Sequence, residues 1–335
     1  LDSGKFACGI FVDLQKAFDT VDHEILLKKL EYYGIRGITN DWFKSYLTNR
    51  QQFTSINGFK SKYNTMKYGV PQGSVLGPLL FLIYINDLHK AMHFSVVHHF
   101  ADDTNLLVSN YSIKKIQKQV NLDLKALCRW LRANKISLNA SKTEMLIFRH
   151  PNKKIDFNLK IKLGGKKIIP SLYVKYLGIY IDCHLNWKYQ VNELSTKLSC
   201  ANGMLAKIRH YVSKQTLTMI YHGIFSSLLL YGSQIWGQAN QPVLTLSRIQ
   251  NKALRIINFE HLRTSANILY HDSKILKLGD SIKLSNFLYA HDIFTNNIPS
   301  VFCNILQIVI YLIQEILNIN LLIVPTVRTS IFGLN

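Results

Sequence analysis

Acidic residues are scarce in this chain, with 20 Asp and Glu against 40 Lys and Arg in 335 residues, a formal net charge of +20. The imbalance points to a polyanionic partner. Nucleic acid is favoured over a membrane surface, because the basic residues are spread through folded-looking segments and do not gather beside a spanning helix. Cysteine is scarce as well: Cys8, Cys128, Cys183, Cys200 and Cys303 are an odd number at wide spacings, with no Cys-x-x-Cys. That excludes a disulfide framework and a zinc knuckle, and fits reduced thiols in an intracellular compartment. No long uninterrupted hydrophobic run occurs. The densest stretch, Ile305 to Val324, is broken by Gln307, Gln314, Glu315, Asn318 and Asn320, so no membrane span is expected. Its composition matches nothing before it, and residues 301–335 read as an atypical tail. A signal peptide's basic-then-apolar opening is missing too. The chain opens at Leu1 without Met and runs directly into an apolar strand, so it reads as a piece of a longer protein.

What is present is a globular composition, 48% hydrophobic, long enough for two or three subdomains. Among few acids, the adjacent pair Asp102-Asp103 stands out. Two β-prone runs, Phe94–Phe100 and Thr104–Val108, flank it as the arms of a tight hairpin. Neighbouring carboxylates repel each other, and folding alone has no use for that. A pair of hard divalent cations would bridge them, whereas the plain alternative is a solvated acidic turn. His98 and His99 occupy adjacent strand positions, face opposite ways and cannot chelate one metal.

Taken in order, Phe6–Val12 suits a buried strand with Asp13 at its carboxyl end, where open sheets place their chemistry. Asp22 is expected to cap a helix through Tyr33, stopped by Gly34, and a second helix follows over Asp41–Leu47. Gln51–Asn57 and Ser61–Tyr68 read as a hairpin joined at Gly58. Beyond the breaking sequence Gly69–Ser74, an apolar helix is expected from about Val75 to Leu88. Ile113, Ile116, Val120, Leu124, Leu127 and Leu131 recur every three or four residues, which predicts an amphipathic helix over Ser112–Asn134. Strands at Lys135–Leu138 and Glu144–Phe148 would complete a βαβ-like order. A lysine-rich stretch with a Gly164-Gly165 hairpin follows, then a strand over Tyr173–Asp182. Helices are expected at Trp187–His210, Ser213–Tyr231, Val243–Phe259 and Ser281–Phe294. The texture changes from α/β to helical near residue 185.

Five ordered stretches carry a family resemblance: Phe11–Asp19, Gly69–Pro78, Phe100–Asp103, Leu138–Glu144 and Tyr176–Gly178. Over Phe6–Asp182 the chain resembles the reverse transcriptase domain of non-LTR retrotransposons of the LINE type, jockey- or CR1-like. The later helices, including Ile249–Arg255, look like that family's thumb and connection. The resemblance implies an α+β fold, a polymerase palm whose antiparallel sheet is flanked by helices, followed by a helical thumb and connection region. It divides the chain into a palm over 1–150, the palm end and primer-grip hairpin over 151–185, and a thumb and connection over 186–300.

It also implies roles. Asp13, Asp102 and Asp103 match the metal-binding catalytic triad, which holds two Mg2+ ions, with Mn2+ the alternative, for RNA-directed DNA polymerisation. Lys16 and Ala17 would offer backbone N–H groups to the incoming deoxynucleotide triphosphate. Phe18 matches the aromatic steric gate against a ribose 2′-hydroxyl, and Gln72 and Gly73 match the loop at nucleotide and template. Lys142 matches a lysine that protonates departing pyrophosphate, though a lone lysine before a strand is commonly just solvated. Tyr176, Leu177 and Gly178 match the primer grip. The implied partners are an RNA template, a DNA primer and deoxynucleotide triphosphates, with no membrane, and the implied place of action is the nucleus.

The chain departs from the family in having no fingers subdomain before its first catalytic strand. The expectation is that it binds nucleotide weakly. A competing reading is a truncated remnant that binds nucleic acid without catalysis. A third, an RNA-templated RNA polymerase on the same palm, is disfavoured by Phe18.

Overall fold

The computed structural model describes residues 3–153, 159–261, 263–295 and 297; the expectation for the tail 301–335 lies outside them. The described chain forms two compact units, one over Ser3–Leu177 and one beginning at Gly178.

In the first unit, β1 (Phe6–Val12) forms where the apolar run predicts it, with Cys8, Ile10 and Val12 buried. Burial pushes the Cys8 thiol up to about 12. Helix α1 (His23–Tyr32) starts at Asp22, whose carboxylate accepts the Ile25 N–H at 3.0 Å. Burial works to raise the Asp22 pKa, but the bond to Lys135 Nζ at 2.6 Å and the backbone N–H groups at the helix start outweigh it and hold the carboxyl below its ordinary value. Helix α2 (Ile38–Leu47) begins before the expected Asp41. The hairpin expected as two long arms is a ribbon of short rungs. In it β2 (Gln51–Gln52) pairs with β5 (Asn64–Thr65), while β3 (Ser55–Ile56) pairs with β4 (Phe59–Lys60) around the left-handed pair Asn57-Gly58. Helix α3 (Leu76–Ile85) is capped by Ser74 Oγ, which accepts the Gly77 N–H at 2.9 Å. It stops short of Leu88 and tightens into a 3-10 turn over Asn86–Ala91.

Next come β6 (Val96–Phe100), β7 (Asp103–Asn110), α4 (Ile113–Ala133) and β8 (Glu144–Phe148). The predicted strand Lys135–Leu138 does not form. The end of α4 consumes its backbone, since Lys135 turns left-handed at φ 53 and the Ile136 N–H reaches back to the Leu131 carbonyl. Leu138 keeps only a single antiparallel bridge, to Leu14. The Gly164-Gly165 hairpin forms as read, from β9 (Ile161–Leu163) and β10 (Lys166–Ile168). Short β11 (Pro170–Ser171) runs parallel to β8, and β12 (Tyr173–Tyr176) closes the unit.

The five-stranded sheet has the order β11-β8-β1-β7-β6. Strand β1 is antiparallel to β7 and to β8, so the β7-α4-β8 connection straddles β1, and the βαβ-like order is a split one. Helix α4 covers one sheet face with Ile116, Val120, Leu124, Leu127 and Leu131, each at most 2% exposed. Each such side chain contributes about 1.5–3 kcal/mol of apolar burial. Asp123 on the same helix is wholly buried and accepts the backbone N–H groups of His93, Phe94 and Ser95 as well as the Ser95 hydroxyl, which fixes the start of β6.

The single strand expected over Tyr173–Asp182 is divided. Leu177 and Gly178 turn left-handed at φ 47 and 80 after β12, and β13 (Ile179–Asp182) belongs to the second unit. The division therefore falls before residue 185, because Ile179 joins the helical core and the Tyr180 N–H donates to Gln190 Oε1. Asp182 then accepts from the backbones of His184, Asn186 and Trp187, and α5 (Lys188–Ile208) begins. Helix α6 (Lys214–Ile220) runs through a π turn at Tyr221–Ser226 into α7 (Ser227–Leu230), so the long helix expected there is continuous but locally underwound. It is followed by α8 (Ser233–Trp236), α9 (Asn240–Ile257), α10 (Ala266–Asp272) and α11 (Leu278–Phe294). Gln250, 2% exposed, joins these helices. Its amide donates to Tyr221 Oη and the Leu276 carbonyl, and its Oε1 accepts from Tyr270 Oη and the Leu278 N–H. Among the described residues no helix is long and apolar enough to cross a membrane.

Candidate active site

Acids distant in sequence meet at one end of β1. The register pairs Val12 with Thr104, so one step further sets Asp13 against Asp103. Asp103 is itself the first residue of β7, and Phe100 pairs with it across a two-residue turn whose Ala101 takes φ 53. Asp102 occupies the second turn position. Loss of water, then the negative charges of Asp102 and Asp13, raise the Asp103 carboxyl above the ordinary range.

Among the described residues, no three His, Cys, Asp or Glu side chains are arranged to enclose an ion. The donor set nonetheless suits one. These are hard oxygen ligands whose mutual repulsion a cation would relieve, and magnesium is commonly held by one or two carboxylates, with water and substrate phosphates completing the shell.

Beyond Asp13 the chain is tied down on both sides. The Asn139 N–H donates to the Asp13 carbonyl at 2.9 Å, and the Gln15 N–H donates to the Ser137 carbonyl at 2.9 Å. Lys16 is left-handed at φ 45, ψ 48, and a 3-10 turn over Ala17–Asp19 follows. A left-handed residue entering a right-handed turn aims successive N–H groups outward, and those of Lys16 and Ala17 make no hydrogen bond among the described residues. Phe18 is half-buried, with its ring centroid 4.7 Å from that of Phe81 on α3. The Val70 N–H donates to its carbonyl at 2.8 Å, and Gln72 Nε2 donates to Asp19 Oδ1 at 2.9 Å. Gly73 sits at φ 81 with open space where a Cβ would stand. Lys142 lies exposed in the turn between Asn139 and β8.

Tyr176 also reaches this face. Its ring packs 5.2 Å from Phe11, and burial, then the Asp103 charge, push its phenol up against the opposing hydrogen bond from the Asn105 side chain. Leu177 and Gly178 form the turn after it, where the two units divide. Asn105 was missed in the sequence. It stands two residues after Asp103 on the same strand face, pairs with Phe11, and holds its Oδ1 buried without a partner among the described residues. The period of two from Asp103 was the available signal. Asp19, the partner of Gln72, and Asn139, which anchors Asp13, were likewise passed over inside recognised stretches.

A family model described as "Reverse transcriptase (RNA-dependent DNA polymerase)" matches residues 2–181. The chain is 29% identical over 301 residues to the RNA-directed DNA polymerase from mobile element jockey of Drosophila melanogaster, covering 84% of this chain and 32% of the relative. It is 29% identical over 309 residues to a probable RNA-directed DNA polymerase from transposon BS of the same fly, covering 86% of this chain and 33% of that relative. The chain thus spans about a third of the length of these curated relatives.

Proposed function

The chain belongs to the reverse transcriptase (RNA-dependent DNA polymerase) family, and we propose that it carries the polymerising site of a mobile-element enzyme that copies RNA into DNA. The observation that carries this reading is the β1–β7 register, which brings the end of β1, followed by Asp13, level with Asp103 at the Asp102-Asp103 turn. The reaction is attack of a primer 3′-hydroxyl oxygen on the α-phosphorus of a deoxynucleotide triphosphate. The new phosphodiester bond forms as the bond to pyrophosphate breaks.

Asp13, Asp102 and Asp103 would hold two Mg2+ ions, which when bound activate the hydroxyl and neutralise the leaving phosphates. The free N–H groups of Lys16 and Ala17 receive the triphosphate oxygens. The Phe18 ring, backed by Phe81, fills the space a 2′-hydroxyl needs. Gln72 and Gly73 line the nucleotide and template, and open space at Gly73 lets a base or phosphate approach the backbone. Tyr176, with Leu177 and Gly178, steadies the primer end beside Asp103. Lys142, in the turn anchored by Asn139, supplies the proton to pyrophosphate. The same reading, through the resemblance to retrotransposon enzymes, has the protein act in the nucleus.

The test is magnesium-dependent extension of a DNA primer on an RNA template, in the full element protein. Asp102→Ala is expected to abolish it, and unchanged extension would reject the proposal. A second reading, nucleic-acid binding without catalysis, is favoured by the net charge of +20, which suits a polyanionic partner whether or not the site turns over. Duplex binding that persists with no single-nucleotide incorporation in the wild type would establish it instead.

A further inference from the structure

The first unit has one long acid-free segment. From Trp42 to Asn86 there is no Asp or Glu, while Lys44, Arg50, Lys60, Lys62 and Lys67 all fall within it. Its centre is the two-stranded ribbon β2 to β5. The ribbon is closed at its foot by the Met66 N–H donating to the Arg50 carbonyl, and it has no exposed acid to balance its cations.

The ribbon is bent. The rungs Gln51↔Thr65 and Ser55↔Lys60 differ in register by one residue, so Phe53-Thr54 face three residues, Ser61 to Tyr63, across a bulge. Residues 51–65 are all exposed, and no core residue explains the aromatics they carry. Phe59 is 83% exposed and Tyr63 is 59% exposed. Phe53 and Tyr63 meet edge to face at 4.9 Å, with Lys60 Nζ 5.1 Å from the Phe53 centroid. Lower down, Arg50 lies 5.0 Å from the Tyr46 ring, which stacks at 9° on Trp42. Cations and flat rings therefore alternate from Phe59 at the tip to Trp42 at the base.

At the foot a cavity of about 390 Å³ opens between Arg50, Gln52 and Met66 on one side and Asp19, His23 and Gln72 on the other. His23 Nε2 is held 2.7 Å from the Gly69 carbonyl, so the cavity wall is the same Gly69–Ser74 loop that borders the candidate active site. The path from Phe59 thus ends at the loop where a template base would be read.

Several occupants are conceivable for exposed aromatics, and charge with shape selects among them. A protein helix would want a contiguous apolar face. Here rings are separated by Gln, Thr, Ser, Asn and Lys. A duplex hides its base faces, whereas an unpaired strand offers them for stacking while its phosphates meet the lysines. We propose that the ribbon Arg50–Met66 and the cavity at its foot are the docking track for the unpaired RNA strand on its way to the Gly69–Ser74 loop. The assignment of that strand as template rests on the polymerase reading above.

The test measures equilibrium binding of a labelled oligouridine RNA, the matching oligothymidine and a blunt RNA–DNA duplex, by fluorescence anisotropy over a salt series with no nucleotide or primer extension involved. Phe59→Ala changes a side chain outside the core and is expected to weaken oligouridine binding about tenfold, as loss of one stacked base does. Lys60→Gln with Lys62→Gln is expected to flatten the log-affinity against log-salt slope by about 1.4, at 0.7 per charge on a single strand. Duplex affinity stays as in the wild type for both. Oligouridine affinity and slope unchanged in both variants would overturn the track. Equal weakening of duplex binding would overturn its single-strand character, and tighter binding of oligothymidine than oligouridine would overturn the choice of RNA. Because binding is read without catalysis, a failure of primer extension leaves these outcomes untouched and bears on the polymerase reading alone.

Discussion

Gly69 lies against the backbone of Asp19 so closely that a Cβ built on it would stand 2.9 Å from the Asp19 Cα and carbonyl oxygen. Together with the Gly69 N–H to Val21 carbonyl bond at 2.7 Å and the Val70 N–H to Phe18 carbonyl bond at 2.8 Å, this contact makes the Asp13–Val21 turn and the Gly69–Ser74 loop one rigid body. The first prediction follows from it. Gly69→Ala must relieve a backbone clash at φ 89, a strain on the order of 2 kcal/mol or more. Denaturant unfolding measures the loss, and a variant as stable as the wild type would mean the two loops are not clamped.

Phe18 is held by Phe81 behind and by Val70 along its backbone, so its ring cannot swing away from the space in front of it. Phe18→Val is expected to lower the ratio of kcat/KM for deoxynucleotide over ribonucleotide by roughly tenfold or more, because a rigid wall is what rejects one added hydroxyl. Steady-state incorporation of matched deoxy- and ribonucleotides gives the ratio. An unaltered ratio with reduced stability would assign the ring to the core alone.

Asp103 carries a carboxyl raised above its ordinary value by loss of water and by Asp102 and Asp13. An acid whose folded value is raised opposes folding when ionised. The cost is fully present above the raised value, and it vanishes below the unfolded value of about 3.9, where both states are protonated. Asp103→Asn is therefore expected to raise the melting temperature at pH 7, by about 2–4 °C for each kcal/mol relieved, with the gain disappearing as pH falls below about 4. Millimolar Mg2+ is expected to raise the wild-type midpoint and to leave that of Asp103→Asn nearly unmoved. A gain independent of pH would remove the electrostatic account.

Gln250 satisfies both of its amide protons and its oxygen inside the helical unit. Gln250→Leu keeps the volume and leaves the buried Tyr221 hydroxyl and Leu278 N–H without this partner, while the Tyr270 hydroxyl keeps its bond to Asn251 Oδ1 at 2.8 Å. The expected cost is on the order of 3 kcal/mol, since each buried orphan costs about 1–3 kcal/mol before relaxation. Chemical denaturation of the variant checks it, and a loss under about 0.5 kcal/mol, the usual range for a surface change, would show that the network is not essential.

Periodic segments were readable from residue order alone. β1 matched its apolar run, and α4 matched the three-and-four spacing of Ile116, Val120, Leu124, Leu127 and Leu131, because burial on one face leaves a local record. Lys135–Leu138 was misread because its apolar residues serve the closing turn of α4, a competition between two backbone hydrogen-bond patterns that composition does not reveal. The ribbon's change of register was hidden for the same reason: a bulge adds one residue and no distinctive side chain. The acids of the site were found through their motifs, whereas their meeting depends on which strand neighbours β1, a tertiary fact. Tyr176 was matched to a primer-contacting motif, but its stacking on Phe11 and its place beside Asp103 and Asn105 needed the sheet.

Strand β1 lies between β7 and β8, whose registers run to Asn110 and Phe148. On a ribosome this apolar strand therefore emerges well before either neighbour exists, with two open edges and nothing to pair with. Pairing across such separations is slow, and an unpartnered strand edge is where chains stick to one another. Synthesis of this unit is thus expected to depend on how long β1 is kept apart from other nascent copies. Slowing translation between codons 13 and 103 would lower the soluble yield more than slowing it after codon 148.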